Sequence, residues 1–195
     1  AVEPFPNWES APVHSVALTD EGEVLVCNVA QATLEIFSAA TPPVWLDAVS
    51  VGLDPVSVRV RPGSREAWVV NHVSDSVSVI DLDRRVTTAV LPVLDEPGDV
   101  VFAGSPARAY VSCSTDECLL VFDPNNLDAA PGRIDLRGEE PKALAVDPSG
   151  QFVYAAFLCS GNRTTVLAGG GDFNGSSPPN VVSDAATPYG GQNPP

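Results

Sequence analysis

The sequence predicts an all-β chain, and three observations carry that prediction. Short apolar runs alternate with period 2, turn-forming residues punctuate them every few positions, and the whole pattern recurs at a fixed interval. Four prolines mark the recurrence, Pro12, Pro55, Pro97 and Pro141, at intervals of 43, 42 and 44 residues. No stripe at 3.6-residue spacing is long enough for a helix.

Each unit reads as four strands in order. The first follows its proline, as VHSVAL, VSVRV, GDVVF and KALAV. A turn rich in Gly, Pro, Asp and Ser comes next (TDEGE, RPGSRE, AGSPAR, DPSGQ), because those residues supply tight-turn dihedrals. The second strand is VLVCN, AWVVN, AYVSC or FVYAA, and the third is TLEIF, SVSVI, CLLVF or TTVL. A fourth is expected near Trp45 to Val51, Val86 to Val93 and Arg133 to Leu136 in the first three units. A lone four-stranded sheet leaves both faces open, whereas sheets stacked radially bury them against one another. The expected fold is therefore a β-propeller arc of about four four-stranded blades, at residues 12–54, 55–96, 97–140 and 141–168. Residues 1–11 read as an extended N-terminal segment. Residues 169–195, dominated by Gly, Pro, Ser and Asn, read as a linker or loop.

Composition narrows the partners. The formal charge of -15 comes from 25 acidic residues against nine arginines and a single lysine, Lys142, which excludes a phosphate backbone as the natural partner. No apolar run reaches the length of a bilayer span. The sequence contains no methionine and begins at Ala1, a small residue of the kind signal peptidase leaves, so a secreted, periplasmic or cell-surface protein is expected.

The stretch AWVVNHVSDSVSVIDLDRRVTTAVLPV resembles the YVTN-type β-propeller repeat, with its Gly-x-x-Pro lead, aromatic-Val-x-Asn strand and Val-x-Val-Ile-Asp strand. The match is fullest at Gly52, Pro55, Trp68, Val69, Asn71, Val77, Val79, Ile80 and Asp81. The third unit keeps Pro97, Tyr110, Val111, Val121, Phe122 and Asp123 but carries Cys113 at the Asn position, and the fourth keeps Gly138, Pro141, Asp147, Gly150 and Tyr154. The resemblance implies a propeller of more blades, commonly seven, completed by a longer polypeptide or by self-association. It also implies a range of roles, from surface-layer-type and secreted binding propellers to the propeller halves of redox enzymes such as methylamine dehydrogenase.

The antiparallel path of each blade brings its lead and its second turn to one face. That face is expected to be acidic: Asp54, Asp95, Glu96, Glu139 and Glu140 in the leads, and Asp75, Asp116 and Glu117 in the inner turns. Such a rim fits a cation, a basic peptide or a positively charged partner domain; the plainer reading is a surface that keeps the protein in solution. The other face mixes acids with Arg61, Arg65, Arg84, Arg85 and Arg108 and is closer to neutral. Cys113 and Cys118 flank a four-residue turn and are expected to oppose each other within disulfide range. Cys27 reads as apolar filler, and His72 as an exposed loop residue.

No sequence pattern assembles a nucleophile, a phosphate loop or a metal-ligand set, and neither His14 nor His72 lies in one. The expectation is a non-catalytic scaffold or binding module without a cofactor or metal of its own, using the acidic face to hold a protein partner. The alternative is the propeller portion of an extracellular redox assembly whose haem or copper ligands lie on another domain or chain.

Overall fold

The computed structural model describes residues 12–158, which form fourteen strands and no helix. Sheet 1 joins β1 (Val16–Leu18), β2 (Val24–Asn28), β3 (Thr33–Phe37) and β4 (Trp45–Ser50). Sheet 2 joins β5 (Pro55–Val60), β6 (Glu66–Asn71), β7 (Ser76–Asp81) and β8 (Val86–Pro92). Sheet 3 joins β9 (Pro97–Ala103), β10 (Arg108–Cys113), β11 (Cys118–Phe122) and β12 (Gly132–Asp135), and sheet 4 pairs β13 (Pro141–Val146) with β14 (Val153–Phe157). All pairings are antiparallel between consecutive strands. The strand expected at 164–167, the segments 1–11 and 169–195, and Cys159 lie outside the described residues.

The first strand of each sheet is innermost. Both β5 and β13 pack on β9, and β1 packs on β5. His14, just before β1, forms a parallel bridge with Ser57, and its carbonyl accepts the Val58 N–H at 2.9 Å. The result is a β-propeller arc, as the repeat predicted.

Prolines open β5, β9 and β13 because the first position of an inner strand does not need the N–H that proline lacks. The residue before each is left-handed, with φ of 57° at Asp54, 53° at Glu96 and 53° at Glu140. A second left-handed position recurs just before β3, β7 and β11, at Ala32, Asp75 and Glu117. Past each proline the strand pairing slips, between Pro55 and Ser57, between Val111 and Cys113 opposite Pro97, and between Pro141 and Leu144. A slip of this kind re-aims the side chains it touches.

The core is three apolar seams, one between each pair of neighbouring sheets. Leu25, Leu34 and Ile36 of sheet 1 meet Val58, Val69 and Ile80 of sheet 2. On the other side of sheet 2, Trp68, Val70 and Val79 meet Val111, Leu120 and Phe122 of sheet 3. Leu119 and Val101 then meet Leu144 of sheet 4. Burial along the strands follows from this stacking. In sheet 2, covered on both sides, β6 and β7 are buried at nearly every position, whereas β2 alternates between half-buried and buried and β14 between half-buried and exposed.

The β13–β14 turn is organised by one carboxylate. Asp147 accepts the Ser149 hydroxyl and the N–H groups of Ser149, Gln151 and Phe152, the last two at 2.8 Å. The Ser149 hydroxyl, followed by the backbone donors, holds its pKa down at about 2. A group depressed in this way contributes stability above its ordinary pKa near 3.8, and that contribution fades as pH falls through about 2. A carboxyl-carbon NMR titration should place the Asp147 midpoint near 2; a midpoint at the ordinary value would show that the turn is not closed in solution.

Candidate functional site

The leads and inner turns share one face and are bonded together there. The Asp75 carboxylate accepts the Glu96 N–H at 3.1 Å, and Asp116 accepts the Asp95 N–H at 3.0 Å. The carbonyls of Asp54 and Glu96 take the N–H groups of His72 and Ser114, and those of Glu117 and Glu140 take Leu136 and Leu158. Much of the acidic pattern thus serves the turns: carboxylates cap backbone donors, and acidic residues occupy left-handed positions. Asp54 is buried; Asp95, Glu96, Glu117 and Glu139 are exposed. Among the described residues, Asp116 is the one carboxylate of Asp75, Asp95, Glu96, Asp116, Glu117, Glu139 and Glu140 with an arginine within 4 Å, Arg133 at 3.7 Å. The opposite face pairs its charges: Arg65 grips Glu21, Glu23 and Asp83 at 2.6 to 2.9 Å, and Arg108 meets Asp123 at 2.9 Å. A hydroxyl-lined groove of about 590 Å³ on the acidic rim, along Gly52, Ser74 and Ser76, spends those hydroxyls internally, Ser74 on Ser76 and on the Leu53 N–H.

Two expectations need correction. The Cys113–Cys118 bridge is not formed: the two residues are directly opposed on β10 and β11, but both are free, buried thiols. Burial pushes the Cys113 thiol up to about 12 and raises Cys118, and it holds Cys27 at about 12 as well. At pH 8 a thiol with a pKa near 12 is ionised to roughly one part in ten thousand, so native Cys27 and Cys113 should resist iodoacetamide until the chain is unfolded. Rapid alkylation of either in the native protein, counted by mass, would contradict their burial. His72, expected to be exposed, is buried instead; its Nδ1–H donates to the Pro97 carbonyl at 3.0 Å, tying the second turn of sheet 2 to the start of sheet 3.

The most concentrated polar chemistry lies at the axis, where the sequence reading did not look. Asp99, on β9, has no solvent exposure, yet its carboxylate meets groups from sheets 2, 3 and 4 and from the segment before β1. Oδ1 accepts the Ser57 hydroxyl at 2.5 Å and the Val100 N–H at 2.9 Å. Oδ2 accepts the Leu144 N–H at 2.9 Å and lies 3.3 Å from Arg59 Nη2 and 2.8 Å from His14 Nδ1. Ser112 extends the knot: it accepts the Asp99 N–H and donates to the Lys142 carbonyl. Gly98 is required beside it, since a Cβ there would stand 2.9 Å from the Lys142 carbonyl oxygen.

Three of these residues hold one repeat position. His14, Ser57 and Asp99 each stand two residues after the marker proline, with Ala143 completing the column in the fourth unit. Aligning that column was the available signal. Motif searches miss it because the partners are 42 to 85 residues apart.

His14 and Arg59 keep 37% and 30% of their side-chain surface open, and both border a cavity of about 390 Å³ between the inner strands. The remainder of its wall is apolar, including Val60, Val101, Phe102 and Val146. Order matters for the chemistry. In a nucleophilic triad the imidazole stands between hydroxyl and carboxylate, but here Asp99 stands between Ser57 and His14, so the Ser57 hydroxyl is an anchored donor. The arrangement positions an imidazole and a guanidinium at a cavity mouth, which is a means of recognition.

No family model matches the chain, and no curated protein matches its sequence. Its shape does match solved β-propeller structures. Hydrazine synthase from Kuenenia stuttgartiensis superposes with a TM-score of 0.68 at 21% identity, over 80% of this chain and 45% of that one. A 6-phosphogluconolactonase-like protein from Bacteroides uniformis gives 0.64 at 18%, over 74% and 47%. The dihydro-heme d1 dehydrogenase NirN gives 0.61 at 16%, over 77% and 33%. At these identities the likeness is one of fold. The chain spans less than half the length of each of these three structures.

Proposed function

We propose that this chain is a non-catalytic recognition segment of a larger, YVTN-type propeller that works outside the cytoplasm. The observation that carries this reading is the Asp99 knot, which ties sheets 2, 3 and 4 to the segment before β1 and holds His14 and Arg59 at the mouth of the axial cavity. A larger ring is supported by one repeat position: Trp68 is buried by the sheet that follows it, while its counterpart Tyr154 is 60% exposed. The exposed carboxylates Asp95, Glu96, Glu117 and Glu139 are the rim's contribution, a weakly neutralised face for a basic protein partner.

The test is ligand-detected NMR on the 195-residue chain with a mixed set of small molecules, repeated on His14→Ala. Ligands whose signals broaden with the parent chain and recover with the variant support recognition at the axis. Binding indifferent to the variant, or chemical turnover of a bound compound, would overturn it.

A second reading, the propeller portion of a redox assembly, has two matched structures in its favour, hydrazine synthase and the dihydro-heme d1 dehydrogenase. Among the described residues no three His, Cys, Asp or Glu side chains gather into a metal-ligand set, and His72 is buried with its Nδ1–H given to a carbonyl. Stoichiometric haem or copper absorption in the native full-length particle would favour this second reading.

A further inference from the structure

We infer that the axial cavity binds a small organic carboxylate, with Arg59 as its principal donor; this rests on the proposal that the axis is a recognition site. One contact beside Asp99 is not satisfied as it stands. His14 Nδ1 lies 2.7 Å from Arg59 Nη2 and 2.8 Å from Asp99 Oδ2. Guanidinium nitrogen only donates and carboxylate oxygen only accepts, so Nδ1 would need a lone pair for the first and a proton for the second. A single ring nitrogen offers one or the other. With the lone pair it faces Asp99 acceptor to acceptor; with the proton it faces Arg59 donor to donor.

An anion in the cavity removes the conflict. Arg59 has a donor to give, because among the described residues its guanidinium contacts all run through Nη2 and leave Nη1 for a ligand, while the buried Nε has no partner either. Drawn toward two ligand oxygens, the guanidinium leaves Nδ1–H free to donate to Asp99, and the conflict at Nδ1 is gone. Asp99 does not lose its compensation, since Ser57, Val100 and Leu144 still donate to it.

The ligand's chemistry follows from the wall. A planar guanidinium matches the two coplanar oxygens of a carboxylate. In the same lining, Val60, Val101, Phe102 and Val146 offer an apolar surface that an inorganic anion leaves unused. A volume of about 390 Å³ suits a short apolar body bearing one carboxylate.

Isothermal titration of the 195-residue chain with 4-phenylbutyrate, 4-phenylbutanol and 4-phenylbutylamine tests this, since the three differ only in the head group. The carboxylate should bind once per chain with a Kd on the order of 1 mM, and the other two should not. Arg59→Gln should weaken binding about tenfold or more. Because that variant also disturbs the Asp99 knot, Ala145→Phe is the second: it fills the cavity without changing charge and should abolish binding while leaving the melting temperature in place. Carboxylate binding that survives Ala145→Phe overturns the inference, because the site is then elsewhere. Equal binding of alcohol or amine overturns it too, yet leaves recognition at the axis standing. Silence from all three probes in a folded chain also overturns it, and the recognition reading falls as well only if the wider ligand set is silent.

Discussion

Asp99→Asn should destabilise the chain by about 3–5 kcal/mol, the range for breaking a buried, hydrogen-bonded charge by removing one partner. The substitution keeps the shape and changes what the atoms offer. Whichever way the amide is turned, its NH2 replaces an oxygen that accepts a backbone N–H, from Val100 on one side or Leu144 on the other. Donor then faces donor, with Arg59 and His14 left beside a group that no longer balances them. Against a total stability of roughly 5–15 kcal/mol, such a loss brings the arc close to unfolding at ambient temperature. Urea denaturation reads it directly, with Asp95→Asn on the exposed rim as a comparison that should stay within about 0.5 kcal/mol. A loss at Asp99 below about 1 kcal/mol would show that the knot does not bind the sheets together.

The second large effect is a contrast between two residues at one repeat position. Trp68 is wholly buried, edge-on to Phe102 at 5.4 Å and Phe122 at 6.1 Å, with its indole N–H on Glu66 at 2.8 Å. Trp68→Ala should cost about 3–5 kcal/mol through the cavity it leaves. Tyr154→Ala, at the equivalent place on β14, should cost about 0.5 kcal/mol or less in the 195-residue chain, because most of that ring is exposed. In a longer chain whose next blade covers β14, the Tyr154 cost should rise toward that of Trp68. Equal costs in the short chain would mean that the face is already covered in solution.

The parts of this fold that were legible in the sequence are those set by local pattern. Alternation within VLVCN or SVSVI chose strand over helix, and the marker prolines fell at the first residues of β5, β9 and β13. Inner turns and leads do meet, at Asp75 with Glu96 and at Asp116 with Asp95, but there Asp75 and Asp116 cap backbone, a role that their charge alone does not reveal. Cys113 and Cys118 stand opposite each other as their flanking of the turn predicts and are free thiols in the structure, because register fixes proximity and leaves oxidation undecided. His72 does lie in a turn, but a turn in the sequence need not be a turn in solvent; the start of the next sheet covers it.

Local pattern is enough to specify a repeating four-stranded unit, because alternation and turn residues act over a few positions. The meeting of His14, Ser57, Arg59 and Asp99, and the enclosure of Trp68 beside the exposure of Tyr154, arise from packing between sheets. The physical reason is the same in both cases. Radial stacking brings equivalent positions of successive units side by side at the axis, and a sheet's outer face is buried only where another sheet follows, so neither outcome is encoded within a single repeat.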